Sequence, residues 1–280
     1  MKIFVKDFKE DVPVIEIEIE KIKASVASDM LYEHIHAAYE LYFLLSGERR
    51  YFIGDEIYNV APGNLVIVPK NVIHKTGVFH QKGYERYVLY FSEASVSELK
   101  EEIGDENFRA FLSFGCVQLP PDETHAMRER FERVFAEQVK DDAFSYSVRK
   151  SLLTEIIVSA LRYGKKKSCA AGEGADKIQL VAHYISENFS EPLSLAGAAR
   201  MACMEKTYFS KRFKALTGFN FSNYLMQVRL GAAEQLLVTT TMNISEISSA
   251  CGFSGSNYFG DAFARFYGMA PSEYRKHTKE

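Results

Sequence analysis

The chain has 280 residues, 47% hydrophobic and 25% charged, with a formal net charge of −3. That is room for about two domains with real cores, and it excludes a polybasic nucleic-acid binder. The charge is uneven, −4 over residues 1–168 and +1 over 169–280, a footprint too weak to argue DNA binding alone. No apolar run approaches the ~18 residues that span a bilayer. The first residues, MKIFVKDFKEDVPVIEIEIEKIK, alternate apolar and charged positions without the apolar stretch of a signal peptide. Cys116, Cys169, Cys203 and Cys251 are scattered, with no C-x-x-C pair, and read as free thiols in a reducing cytoplasm.

Residues 1–120 read as strands. Val14, Ile15, Ile17, Ile19 and Ile22 lie in an alternating stretch, and LYFLLSG, RRYFIGDEIYNV, GNLVIVP and ERYVLYFS are β-branched or aromatic runs. Gly47, Gly54-Asp55, Pro62-Gly63 and Pro69 punctuate them, so an all-β barrel or sandwich is expected. Residues 121–164 change period. Asp122–Lys140 carries Met127, Phe131, Val134, Phe135 and Val139, and Ser145–Tyr163 carries Val148, Leu152, Ile156, Ile157, Ala160 and Leu161. Both spacings predict amphipathic helices, whose apolar faces serve either dimerisation or packing on the barrel. Residues 165–175, within GKKKSCAAGEGAD, have no apolar period and read as a linker, with Lys165–Lys167 a solvated helix end.

Residues 176–280 read as helical throughout. In 193–218 a helix over about Leu195–Ala202 turns at Cys203–Met204 into a second over about Lys206–Thr217. Phe209, Phe213 and Leu216 form the second helix's inner face, and Gly218 fits the left-handed stop. Residues 244–268 repeat the scheme. Ile244, Ile247 and Ala250 pack the first helix, Gly252 makes the turn, and Tyr258 or Phe259, Phe263 and Phe266 pack the second. Phe221–Val238 would bridge the two units as one longer helix. Two short helices, a tight turn and a polar outer face make a helix-turn-helix, whose second helix enters a major groove.

Four pieces, YFSKRFKALTG (208–218), RLGAAEQLL (229–237), ISEISSACGFSGSNYFGDAF (244–263) and GMAPSEYR (268–275), resemble the DNA-binding domain of the AraC/XylS family of bacterial regulators. The resemblance implies that Lys206, Thr207, Ser210 and Lys211 face the groove in the first unit, and Ser256, Asn257, Tyr258, Gly260 and Asp261 in the second. Lys214, Arg265 and Arg275 would serve phosphates or intradomain pairs, and Arg229 an internal salt bridge. Any single polar residue here is as readily a solvated helix face. Two departures stand out. Glu205 replaces the usual Ser before the first reading helix, so that start is expected to be poorly capped. Gly260-Asp261 and Ala264 stand where small polar and basic residues are usual, and Asp261 is repelled by phosphate though it can accept from a cytosine amino group. The expectation is that the first unit supplies most of the grip.

In the N-terminal part, His34, His36, Glu40 and Gly47 keep the spacing H-x-H-x3-E-x6-G, and Gly63, Pro69 and His74 keep the second motif's spacing. Both resemble the cupin motifs, with Asn71 replacing an inner Gly and Val78 a usual Asn. The resemblance implies an N-terminal all-β cupin-like (jelly-roll) barrel over 1–120, two connecting helices, and a C-terminal all-α domain with two helix-turn-helix motifs. Three imidazoles and a carboxylate suit a divalent metal such as Fe, Mn, Ni or Zn; the alternative is a polar interior that holds an organic effector, or nothing. Tyr39, Tyr42, Phe43, Tyr51, Phe52, Tyr87 and Tyr90 could line a small-molecule pocket or simply be core.

The leading reading is therefore a cytoplasmic transcription regulator, not an enzyme. Its partners would be a double-stranded DNA operator, a small effector such as a sugar or other small polar molecule, and a second copy of the chain, with no membrane contact. A metal-dependent cupin enzyme with a helical tail, and a DNA-binding module without an effector, are the competitors.

Overall fold

A computed structural model describes residues 16–25, 36, 38–78, 83–170 and 174–278. His34, Val14 and Ile15 lie outside them. Among the described residues, nine strands form two sheets. One has six strands in the order β1-β7-β2-β5-β8-β9: β1 (Ile17–Ala24), β7 (Tyr84–Phe91), β2 (Tyr39–Ser46), β5 (Asn64–Val68), β8 (Cys116–Gln118) and β9 (Lys165–Lys166). The other has three, in the order β4 (Glu56–Val60), β3 (Arg49–Ile53) and β6 (His74–Val78). All ladders are antiparallel.

Strand alternation explains why β2 is buried on both faces. Tyr39, Leu41 and Phe43 point outward to a core shared with the connecting helices. Tyr42 and Leu44 point inward, joining Tyr51, Tyr58, Val66 and Val88 between the sheets. Glu40 shares their parity and so faces the interior.

Residues 94–112, expected to continue the strands, are helical: a 3-10 turn at Ala94–Val96, then α1 (Ser97–Ile103) and α2 (Asp105–Leu112). Val96, Leu99, Phe108 and Phe111 are buried at a spacing of three, which strands cannot present to one side. α3 (Pro121–Lys140) and α4 (Ser145–Tyr163) follow, pack on each other and cover β1. Their inner residues Met127, Phe131, Val134, Leu152, Ile156 and Ile157 all enter the barrel's outer core, so these apolar faces are buried within the chain. Val139 and Phe144 remain outside, at 71% and 73% exposed.

The expected linker is partly built into the sheet. Lys165 and Lys166 pair with β8 as β9, Lys167 donates its backbone N–H to Cys116, and Ala170 donates its own to Ile57. Lys166 also meets Glu56, and Lys167 Asn64, so this run is an edge strand rather than a solvated helix end. Its backbone, not an apolar pattern, does the pairing.

Seven helices follow among the described residues: α5 (Ala175–Glu187), α6 (Leu195–Met201), α7 (Lys206–Thr217), α8 (Phe221–Thr239), α9 (Ile244–Ala250), α10 (Ser256–Tyr267) and α11 (Pro271–His277). α6-α7 and α9-α10 are the two helix-turn-helix units, and α8 bridges them. No helix among the described residues is long and apolar enough to cross a membrane.

Candidate DNA interface and effector site

The first reading helix, α7, is set by Phe209, Phe213 and Leu216, all buried, and it stops at Gly218, whose φ of +84° suits a residue without Cβ. Its start is better made than the sequence suggested. The Glu205 carboxylate accepts from the backbone N–H groups of Thr207 and Tyr208 at 2.8 and 3.0 Å, and these bonds hold its pKa below the ordinary value. The longer Glu side chain folds back far enough to satisfy two end donors, and its charge suits the positive helix terminus.

Lys206, Thr207, Lys211 and Lys214 are exposed on one side of α7, with Ser210 half-buried among them. Tyr208, which the sequence reading passed over, is also exposed on this helix, at 48%. An exposed aromatic flanked by lysines was the signal that could have singled it out. α7 carries four basic residues and no acid.

The second reading helix, α10, buries Phe259, Phe263 and Tyr267 and leaves Tyr258 53% exposed. That resolves the ambiguity at 258–259 in favour of Phe259 as the core residue, and Tyr267 is buried more deeply than Phe266. Asn257, Asp261 and Arg265 are exposed, Ser256 and Gly260 half-buried. Asp261 offsets Arg265, so α10 is neutral. Its companion α9 starts with a full capping box: Asn243 accepts from Glu246 N–H while Glu246 accepts from Asn243 N–H. Arg229 makes no salt bridge among the described residues. It donates to the Phe189 and Glu191 carbonyls at 2.7 and 2.8 Å, and Arg275 donates to Leu237. Both are tied inside the domain.

Inside the barrel, His36, Glu40 and His74 converge, their ligand atoms all within 4.8 Å of one another. Glu40 Oε2 lies 3.1 Å from His36 Nε2 and 3.4 Å from His74 Nε2, and Tyr51 donates to Glu40 Oε1 at 2.5 Å. Each imidazole Nδ1 faces a backbone carbonyl, His36 that of Ala38 and His74 that of Val72. Those carbonyls fix the proton on Nδ1. The His36 Nε2 therefore needs a second proton, or a cation, to face the carboxylate. Burial opposes ionisation of Glu40, but the His74 charge and the hydrogen bonds from His36 and His74 outweigh it and hold the carboxyl well below the usual range. Burial likewise opposes the charged form of His36, yet its hydrogen bond and attraction to Glu40 raise its pKa. The donor set and its oriented imidazoles fit a divalent ion.

Two buried arginines that sequence reasoning missed share this interior. Arg86 stacks over Tyr42 at 4.9 Å, and Arg49 over Tyr84 at 4.3 Å. Arg86 Nε and Nη1 and the Tyr42 hydroxyl have no hydrogen-bond partner among the described residues. Of the seven aromatics considered as pocket lining, Tyr39, Phe43 and Tyr87 belong to the outer core, Tyr42 and Tyr51 face inward, Phe52 packs on the C-terminal domain, and Tyr90 stands edge-on to His36 at 5.3 Å.

The sheet β4-β3-β6 is the face on which the helical domain sits. Phe52 packs on Phe219 and Tyr224, and Tyr224 donates to the Gly54 carbonyl. Asp55 meets His183 at 2.6 Å, Gln179 accepts from Ile57 N–H, and Asn71, at φ +58°, donates to Glu234.

A β-sheet sensor with a polar interior, joined to a helical domain carrying two groove-reading units, defines a ligand-controlled DNA-binding protein. Comparisons with known proteins say which kind. Residues 17–157 match the AraC-like ligand binding domain, and residues 198–277 a helix-turn-helix domain. The chain belongs to the AraC family of DNA-binding transcription regulators. It is 23% identical over 252 residues to the HTH-type transcriptional activator RhaR of Pectobacterium atrosepticum, covering 87% of this chain and 85% of the relative. To RhaR of Cronobacter sakazakii it is 26% identical over 253 residues, covering 87% and 86%. These relatives are transcriptional activators, and this chain is a regulator rather than an enzyme. Among solved structures, the DNA-binding domain of AdpA in complex with a target DNA is 28% identical, covering 36% of this chain and 90% of that one at a TM-score of 0.35. ToxT from Vibrio cholerae is 14% identical, covering 93% and 98% at a TM-score of 0.38.

Proposed function

We propose that the chain is a cytoplasmic regulator whose DNA grip, supplied mainly by α7, is adjusted by a small polar effector at the His36–Glu40–His74 cluster. The observation that carries this is a pair of neighbours on β6. His74 points inward to Glu40, while Lys75 points outward and donates to the Gly218 carbonyl at the end of α7, at 3.0 Å. A ligand that pulls on His74 moves the strand that caps the reading helix, which gives it different affinities for two arrangements of the domain. A sugar or similar polyol is the favoured class, because Glu40, Tyr51 and the imidazoles offer hydroxyl-matching groups among aromatic rings. His34 is the remaining cupin-motif candidate for this site.

The regulator is proposed to act on double-stranded DNA as a homodimer, through the exposed apolar tips of α3 and α4 at Val139 and Phe144, since paired half-sites suit a two-fold protein. The test is a thermal-shift screen of sugars and polyols on the full chain, followed by binding to a duplex selected by the protein from a random library. An effector should raise the melting temperature and change DNA affinity. Glu40→Gln should abolish that response while leaving effector-free DNA binding in place. A response that survives Glu40→Gln would move the site elsewhere.

A second reading follows from the imidazole orientation. His36, Glu40 and His74 would hold a divalent ion, which would supply a Lewis-acidic anchor for an effector hydroxyl. Metal analysis of the purified chain decides it: stoichiometric metal lost in Glu40→Gln supports it, and metal-free protein that still binds effector refutes it.

A further inference from the structure

Between the three-stranded sheet and α7 lies a cavity of about 500 Å³. Arg50 of β3 and Lys75 of β6 line it from the barrel side, and Lys211, Lys214 and the helix end at Gly218 from the other. Four cations from two domains thus face one space, and no Asp or Glu lines it among the described residues. Leu216 and Ala215 give it an apolar patch. Lys75 is already held in place, donating to the Gly218 carbonyl and lying 5.6 Å from the centre of the Phe219 ring. Burial, and then the charge of nearby Arg212, lower the pKa of Arg50, so like charge is crowded at this wall.

Arg50 and Lys75 are half-buried and Lys211 and Lys214 exposed, and cations converging on one space suit an anionic ligand. The donors also suit a particular anion. A guanidinium fork grips two oxygens of one group, and ammonium groups act as point charges on the rest, the arrangement that recognises phosphate. We propose that this cleft binds a small phosphomonoester, clamped between the barrel and α7, and that its occupancy competes with DNA for Lys211 and Lys214. The binding site stands on the cavity and its cations. The competition rests, in addition, on the reading of α7 as the main DNA grip. Linkage makes the effect reciprocal: DNA on α7 weakens the phosphomonoester, and the phosphomonoester weakens DNA. Because the clamp holds the reading helix against the sheet, the bound state is the DNA-averse one.

The phosphate could come from a metabolite or from the DNA backbone, and the arms of the test separate them. Titration calorimetry on the full chain would use glucose 6-phosphate and inorganic phosphate, with glucose and ionic-strength-matched chloride as controls. The phosphate compounds should bind saturably and the controls should not. The double variant R50Q/K75Q should lose about tenfold or more in affinity, the scale of a lost charge-assisted contact, while Lys75→Arg retains most of it. Circular dichroism and melting curves check that each variant is folded. In the second arm, anisotropy with a library-selected duplex should show glucose 6-phosphate weakening DNA binding by the native chain but not by R50Q/K75Q. The DNA affinity of R50Q/K75Q without ligand is the baseline for that comparison, because Lys75 also caps the end of α7.

Absence of saturable phosphate binding above the chloride control overturns the proposal, as does binding that is unchanged in folded R50Q/K75Q. Loss of DNA affinity in R50Q/K75Q without phosphomonoester binding also overturns it, assigning the cleft to backbone phosphate. Phosphomonoester binding that depends on Arg50 and Lys75 but leaves DNA affinity untouched upholds the site and refutes the grip by α7.

Discussion

In the first helix-turn-helix unit, Phe209 and Phe213 share a buried cluster with Phe52, Ile57 and Ile73 of the barrel. In the second, Phe259 and Phe263 pack with Cys251, Tyr267 and Tyr274, all from the C-terminal domain. The apolar core is therefore continuous with the sensor in one unit and drawn from the C-terminal domain in the other. Their reading faces differ in the same sense: α7 is basic, α10 neutral. The more basic unit is also the one that shares its core with the barrel, so under the proposed function a signal from the barrel would reach it directly.

Core truncation gives the largest test of this difference. Phe213→Ala should cost about 3–5 kcal/mol, as should Phe263→Ala. Only Phe213→Ala should also lower hydrogen-exchange protection in β3 and β4. Equal protection of those strands in both variants would break the distinction. Next come the reading faces. Lys211→Ala should weaken binding to a selected duplex and reduce the salt slope by about 0.9, the value of one phosphate contact. Asp261→Ala should change affinity little. If Asp261→Ala and Asn257→Ala weaken binding more than Lys211→Ala, the ranking of the units is wrong.

Capping is a smaller effect. Asn243→Ala removes the capping box and should cost about 1 kcal/mol, read by chemical denaturation, with the loss confined to the second unit. Glu205→Ala, at a fully exposed position, should cost less and should act on the first unit.

The smallest effect is on pH. Asp55 meets His183 across the barrel–helix interface and raises the imidazole pKa above its ordinary 6.5. A raised folded pKa means the pair contributes fully below 6.5 and is lost as pH rises through the folded value. Exchange protection around the Gly54-Asp55 turn should therefore fall slightly on the alkaline side, and Asp55→Asn should remove the dependence. The second unit should show no matching change.

Local signals made the helical half legible. α7 begins and ends where Phe209, Phe213 and the left-handed Gly218 place it, and α4 spans Ser145–Tyr163 as its apolar period requires. The cupin spacing led to His36, Glu40 and His74, because strand parity fixes which side they face. What stayed hidden depends on contacts distant in sequence. β9 has two exposed lysines and pairs only through its backbone, so no apolar pattern marks it. Leu99, Phe108 and Phe111 carried a helical spacing, masked by the strands around them. Arg86 became an interior residue only because β7 pairs with β2 in a register that sets it opposite Leu44. The meeting of β6 with α7 requires two domains to be placed at once.

The pairing of β9 with β8 also sets mechanical reach. With Ala170 bonded to Ile57 and α5 starting at Ala175, the covalent tether between the anchored edge and the helical domain is four residues, 171–174, or five Cα–Cα steps and at most about 18 Å when stretched. Peeling the edge from Lys165 adds five more residues and about doubles that span. Half-sites one helical turn apart lie about 34 Å from each other. The zipped edge would keep the two reading domains of a dimer close to their own barrels, and the peeled edge would let them straddle wider sites. In a dimer, this two-residue strand would act as a catch on a retractable leash, with operator spacing as the quantity it would limit.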